Sequence, residues 1–256
     1  MKFLTFLLFA LLSFTNYSQQ SGKVIYKTIL LKNGFAPIYE ELLIEGDEST
    51  YKLIKKVKPD KKVTFNEEKD VATINLQIPD SIHPFIITDF KKRKIISKVF
   101  LTDTGIGNYQ EYHVVEPFSI KWNLQQDEIK INNFVCKKAT TYFRGRNYTA
   151  WYTQQIPVTA GPWKFSGLPG LILRIEDNSH EVSFLAEKII FPFKKKLKIN
   201  PTIYKDTITI TKFAELRKIA TKKSTEAFRL RLLTKLPRGA TVELTKDGTN
   251  DIEKKF

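Results

Sequence analysis

The sequence predicts a mainly β fold: a curved antiparallel sheet, half-barrel or sandwich-like, carrying an amphipathic helix near the carboxyl end. Three observations predict it. Short runs of β-branched and aromatic residues recur along the chain, Gly, Pro, Asn and Asp punctuate them, and a helical period shows clearly only after residue 211.

Gly22 to Leu31 reads as the first strand, and Asn33-Gly34 is a strong hairpin signal because both central positions of a type I′ turn need positive φ. A second strand follows from Ile38 to Glu45, Gly46-Asp47 makes the next turn, and Ser49 to Val57 returns as a third strand in an antiparallel meander. Lys58-Pro59-Asp60 breaks the meander. Further strands are predicted at Val71 to Ile78, Lys94 to Leu101, Gln110 to Val115, Ile129 to Tyr142, Arg146 to Thr153, Leu171 to Glu176 and Val182 to Ile190. The helix is placed at about 211–232, with Thr211 as its cap and Phe213, Leu216, Ile219 and Ala220 at helical spacing. Its other face carries Lys212, Arg217, Lys218, Lys222 and Lys223, so the apolar stripe suits packing on the sheet, with anionic lipid as the alternative. The tail after Pro237 is too polar to predict as ordered.

Met1 to Gln20 has the layout of an export signal: Lys2, the apolar run Phe3 to Leu12, then a polar stretch. The run falls short of the roughly 20 apolar residues that span a bilayer, and no later segment approaches that length. The expectation is a periplasmic or secreted protein, residues 21–256 forming a single β-rich domain without a membrane span. Cys136 is the sole cysteine, which excludes an internal disulfide; its setting in Asn133-Phe-Val-Cys reads as an inward-facing, inert strand position. The formal net charge is +15. Export makes nucleic acid a poor partner for that charge, leaving anionic membrane, lipopolysaccharide or an acidic protein face. The lysines are scattered in pairs and short runs, as on a solvated surface.

No catalytic, metal or cofactor constellation emerges. His83, His113 and His180 have no second ligand at metal spacing. Gly105-Ile-Gly107 begins like a dinucleotide fingerprint, but Gln110 stands where the third glycine belongs. Ser166 lacks the flanking glycines of a nucleophile elbow. Asn147-Tyr-Thr149 matches a glycosylation acceptor but lies in a strand pattern. In the pairs Glu40-Glu41, Glu67-Glu68 and Glu176-Asp177 adjacent carboxylates point to opposite faces of a strand, so none forms a general acid and base; Asp177 alone ends the strand that follows the most unusual segment. A hydrolase using Cys136 or Asp177 would lack the partners that activate a nucleophile.

That segment runs from Phe143 to Asp177 and is dense in special backbone residues. Pro169-Gly170 fits the centre of a type II turn that feeds Leu171 to Ile175 into an apolar strand. Ile156-Pro157 and Gly161-Pro162 stiffen the approach and hold Trp151 and Trp163 where they could rim a pocket. Gly167, Leu168, Pro169, Gly170, Leu171 and Ile172 spell the hexapeptide that names the GLPGLI family of exported Bacteroidota proteins. Gly145-Arg146, Ala150-Trp151-Tyr152, Ile156-Pro157 and Gly161-Pro162 resemble that family too, over roughly Cys136 to Asp177. The family has no established activity, so the resemblance transfers no catalytic residues. It implies an envelope location and, since members are often encoded near TonB-dependent outer-membrane receptors, a connection with uptake.

The turn residues of the motif are accounted for by backbone geometry alone, and Arg144, Arg146, Trp151 and Trp163 offer a recognition surface of the residue types that anchor interfaces. The expected function is a non-enzymatic accessory or adaptor protein binding an envelope protein, such as an outer-membrane receptor, through that segment. The alternative is a carrier sheltering an apolar ligand, such as a lipid chain, on the concave side of the sheet.

Overall fold

A computed structural model describes residues 21–30, 37–56, 64–66, 71–73, 84–103, 108–118, 120–193 and 206–234. The predicted export signal, the predicted turn at Asn33-Gly34 and break at Lys58-Pro59-Asp60, His83, Gly105 to Gly107 and the residues after Pro237 lie outside these residues.

The strands are β1 (Ser21–Leu30), β2 (Ile38–Glu45), β3 (Glu48–Lys56), β4 (Thr64–Asn66), β5 (Val71–Thr73), β6 (Phe85–Asp89), β7 (Lys94–Leu101), β8 (Gln110–Pro117), β9 (Asn123–Ile131), β10 (Phe134–Phe143), β11 (Arg146–Thr153), β12 (Leu171–Asp177), β13 (Val182–Ile190) and β14 (Thr207–Thr209), followed by helix α1 (Ile210–Leu233). Twelve strands form one open sheet in the order β14-β8-β7-β6-β3-β2-β1-β13-β12-β11-β10-β9, and β4 and β5 pair as a separate ribbon. Neighbours run antiparallel, except that β14 joins β8 in parallel. The first strand thus lies centrally, between β2 and β13. The predicted β class holds: the described residues form one unclosed twelve-stranded sheet, the β4–β5 ribbon and one helix.

Alternation decides which face is buried. Along β1, Gly22, Val24, Tyr26 and Thr28 are buried while the intervening residues are half-exposed, the period-2 signature of a sheet with one covered face. Register shifts between Ile25 and Tyr26, Tyr39 and Glu40, and Trp151 and Tyr152 add local bend to the strands. The sheet curls far enough for Glu116 of β8 to form an ion pair with Arg144, in the turn between β10 and β11.

Two-residue turns set several registers. Gly46-Asp47 joins β2 to β3 as predicted, and Glu45 pairs with Glu48 across it. The predicted strand from Ile129 to Tyr142 is in fact a hairpin. Ile131 pairs with Phe134 across Asn132-Asn133, Asn132 has φ 52°, and the run becomes β9 and β10; asparagine tolerates the left-handed conformation better than most residues. Short β6 and the three-residue strands β4 and β14 also escaped the sequence pattern, which is weak in segments of that length. The run predicted from Val71 to Ile78 is described as a strand only to Thr73.

Helix α1 begins one residue earlier than predicted, and its cap is Thr209, whose hydroxyl accepts from the Lys212 amide at 3.2 Å. Phe213 is buried against Tyr112, with ring centroids 6.4 Å apart. Beyond it, Ile219 and Leu230 are 54% and 52% exposed, so the stripe does not pack along its length. Phe213, in the first turn, anchors the helix to the sheet.

Candidate functional site

The unusual segment between β11 and β12, residues 154–170, folds back over the concave face as a plug. Its turns are tight. The Val158 amide donates to the Ile156 carbonyl and the Gly170 amide to that of Leu168, each at 2.8 Å, which places Pro157 and Pro169 at the centres of three-residue γ-turns, where proline's fixed φ fits. The turn at Pro169-Gly170 is therefore not the predicted type II turn, in which φ at the glycine is near +80°; Gly170 has φ 158°. A Cβ there would collide with the Thr153 carbonyl, so glycine is demanded by close approach of two backbones. Gly161 is similarly hemmed in: its Cβ would lie 2.6 Å from the Phe165 carbonyl oxygen and 2.7 Å from Ile172 Cδ1.

These turns deliver Phe165 into the core. Its ring lies edge-on to Tyr148 at 4.7 Å, Trp163 at 5.1 Å, Phe143 at 5.9 Å and Phe184 at 6.0 Å between centroids, the arrangement aromatic quadrupoles favour. Leu168, Leu171 and Ile172 are fully buried beside it. Polar ties complete the attachment: Trp122 Nε1 donates to the Ser166 carbonyl at 2.8 Å, and the Tyr26 hydroxyl to that of Ile172 at 2.5 Å. The hexapeptide of the sequence is thus the carboxyl end of a built-in plug.

Charges pin the plug and its hairpin from both sides. Lys164 Nζ lies 2.5 Å from Glu116, which also takes Arg144. Arg146, only 4% exposed, bonds Asp177 at 2.7 Å and Glu181 at 2.6 Å. Burial pushes the Asp177 carboxyl up, but the Ser179 hydroxyl, the Val182 amide and Arg146 outweigh it and hold the group below the ordinary carboxylate range.

The four residues expected to form one recognition surface are consequently dispersed. Arg146 is inside, and Arg144 is half-buried against Glu116. Trp151 lies on the face of β11 away from Tyr148 and Ala150, with the Lys138 ammonium 5.9 Å from its ring centroid. Trp163, at φ 53°, packs on Phe143 and Phe165 over the concave face. Of the expected pocket-rimming pair, only Trp163 rims one.

That pocket is a cleft of about 490 Å³, lined by residues of β2, β3, β6, β7 and β8, by Trp163 and Lys164 of the plug, and by Ile210, Phe213 and Arg217 of α1. Register places its floor: Tyr51, Ile86, Ser97 and Val114 follow one another across β3, β6, β7 and β8. Leu53 and Val99 continue the apolar lining.

Besides the cations Lys52, Lys98, Lys164 and Arg217, two polar residues line the cleft. The Ser97 hydroxyl is buried with no hydrogen-bond partner. Glu40 accepts from the Thr28 and Tyr51 hydroxyls, both at 2.6 Å on the same oxygen, and burial holds its carboxyl above the ordinary range even though those bonds act to lower it. The split predicted for Glu40-Glu41 is observed, since Glu41 instead takes Lys23 and Lys52. Sequence reading weighed Glu40 only as half of a carboxylate pair and passed over Ser97, because a lone carboxylate or hydroxyl in a strand carries no local signature.

Nothing in the site arranges a nucleophile. Burial pushes the Cys136 thiol up to about 11 and leaves it fully enclosed, as expected. Among the described residues no group of His, Cys, Asp and Glu could hold a metal, and no helix is long and apolar enough to cross a membrane.

Comparison with known proteins bears on the same segment. The family model described as "Protein of unknown function (Porph_ging)" matches residues 144–174, from the β10–β11 turn through the plug into β12. This is an uncharacterised family, as the hexapeptide implies, under a name other than GLPGLI. No curated protein matches the chain. Among solved structures it is similar to PNGF-II, in crystals of space groups C2 and P21, with a TM-score of 0.51 and 13% identity in each case, covering 78% of this chain and 33% or 34% of that one. The chain spans about a third of PNGF-II, and at this identity the likeness is one of fold.

Proposed function

We propose that this chain is a carrier of the cell envelope that shelters an apolar ligand in the concave cleft between β2, β8, the plug and α1. The observation that carries the reading is the cleft itself: about 490 Å³, within the range of roughly 300–1,000 Å³ typical of small-molecule sites, with a mainly apolar lining. The export-type leader and the resemblance to the exported GLPGLI proteins of Bacteroidota support a periplasmic or secreted setting. The plug serves as scaffold in this reading, because its arginines are spent on internal carboxylates.

The test is native mass spectrometry of gently purified protein. A co-purifying lipid-sized mass is expected, and it should disappear in Val99→Trp, which fills the cleft. Protein that is empty and also refuses added lipid would overturn the proposal.

A second reading, an adaptor for an envelope protein such as a TonB-dependent outer-membrane receptor, is favoured by the outward patch around Trp151, where Lys138 and Arg174 flank the ring and Leu185 is exposed. Trp151→Ala should abolish recovery of such a partner from envelope extracts without altering ligand content. Unchanged recovery would count against the adaptor.

A further inference from the structure

We infer that the outer side of helix α1 docks on an anionic lipid bilayer, so that the helix bordering the cleft also seats the protein on a membrane surface. This docking goes beyond the carrier reading and does not depend on it.

Charge is the first ground. Along Ile210–Leu233 the helix carries seven basic and two acidic side chains. Both acids are neutralised within the helix, Glu215 by Lys212 at 3.2 Å and Glu226 by Arg229 at 3.1 Å. Arg217 lines the cleft and is already engaged. That leaves Lys218, Lys222, Lys223 and Arg231, all exposed and without an ion pair to any described residue. Like charges this close on one helix repel, and an anionic surface turns that cost into attraction. Elsewhere, exposed lysines without an ion pair, such as Lys91, Lys130 and Lys188, are spread over separate turns and strands.

Geometry is the second ground. Phe213 turns to the sheet and is buried against Tyr112. At about 100° per residue, Ile219 and Leu230 fall within roughly 20° of each other and about 100–120° round the helix from Phe213, with Lys222 and Lys223 on either side of them. Glu226 shares that side, its charge met by Arg229. Ile219 and Leu230 are 54% and 52% exposed, and they stand about 16 Å apart along the axis. Apolar side chains flanked by lysines suit a bilayer surface, where the hydrocarbon enters the headgroup region and the ammonium groups stay with the phosphates. The apolar area is small, so charge leads and burial follows. The sheet side of the same helix lines the cleft through Ile210, Phe213 and Arg217, so a single element joins the cleft to the lipid surface.

The test is cosedimentation of the mature protein, residues 21–256, with vesicles of equimolar phosphatidylglycerol and phosphatidylcholine, and with vesicles of phosphatidylcholine alone. Binding is expected to the mixed vesicles only, weakening as salt is added. Lys218→Gln, Lys222→Gln and Lys223→Gln together should lower affinity roughly a hundredfold, at about fivefold for each charge near the surface. The same loss of charge made elsewhere, by Lys91→Gln, Lys130→Gln and Lys188→Gln together, should cost less than about threefold, because those sites lie beyond the screening length from the lipid. Ile219→Ser with Leu230→Ser should weaken binding about tenfold. Val99→Trp, which fills the cleft, should leave vesicle binding unchanged, so that docking and the carrier reading fail separately. Thermal melts of each variant verify folding. Equal losses from the two lysine sets would make adsorption a property of net charge and overturn the assignment to α1. Equal binding to both kinds of vesicle, or binding to neither, would overturn it outright. A dimer in sedimentation velocity that Ile219→Ser with Leu230→Ser dissociates would give this side of the helix to a second copy of the chain instead.

Discussion

The two halves of the concave face are built alike and finished differently. On β10 to β13 and β1, inward residues such as Tyr26, Tyr148, Ala150 and Phe184 are sealed under Phe165 and the rest of the plug. On β3 and β6 to β8, inward residues of the same kind, including Tyr51, Ile86 and Val114, line the cleft beside the edge of the plug and the first turns of α1. Strand patterning makes both halves of this face apolar; what differs is the loop laid over them. A core and a binding cleft are here the same surface with and without a lid of chain.

The comparison can be broken by truncating each half. Phe165→Ala removes the ring on which the plug is centred and is expected to cost about 3–5 kcal/mol, seen as a large fall in urea midpoint. Ile86→Ala, in the open half, should cost about 1 kcal/mol or less, because its side chain is only half-buried. Equal losses would mean that the open half is packed as tightly as the sealed one.

The charges sharpen the same contrast. Arg146→Ala would strand Asp177 and Glu181 in the sealed half at a cost of about 3–5 kcal/mol. Because Asp177 titrates below its unfolded value, its contribution is present above the ordinary carboxylate pKa of about 3.9 and is lost as pH falls through the lower folded value. Asp177→Asn should therefore flatten the acid limb of a stability profile. An unchanged limb would remove Asp177 from the account.

Gly170→Ala should cost about 2–3 kcal/mol, since the Thr153 backbone must move to admit a methyl group. Glu40, on the open side, gives the smallest effect, with the opposite sign. Its folded pKa is raised, so its contribution is present below the unfolded value and is lost as pH rises through the folded one. Glu40→Gln should accordingly gain stability relative to the native chain as pH rises from the ordinary glutamate value of about 4.3 through the raised folded one. A constant difference across that window would show that Glu40 is not held neutral.

Much of the fold was legible because its signals are local. Alternation marks β1 to β3, β7, β11 and β13 almost to the residue, and Gly46-Asp47 states its own turn. The plug announced itself through Pro157, Gly161, Pro162, Pro169 and Gly170, since each constrains its own backbone. Its role as a plug was not legible. Phe165 looks like any aromatic residue until Tyr148 and Phe184 are brought around it. Asn132-Asn133 was readable in principle, from the tolerance of asparagine for positive φ, and marks the boundary that the pattern between Ile129 and Tyr142 blurred.

The amino-acid sequence by itself determined the class of the protein, the positions of most strands and the stiff, proline-rich character of residues 154–170, because backbone preference and side-chain alternation act over a few residues. Tertiary structure alone decided that Arg144 and Arg146 turn to carboxylates up to 35 positions away, that Trp151 and Trp163 part company, and that one half of the trough stays open around Ser97 and Glu40. Those outcomes depend on which strands curl toward one another, and a charge or a cavity takes its meaning from whatever the fold sets opposite it.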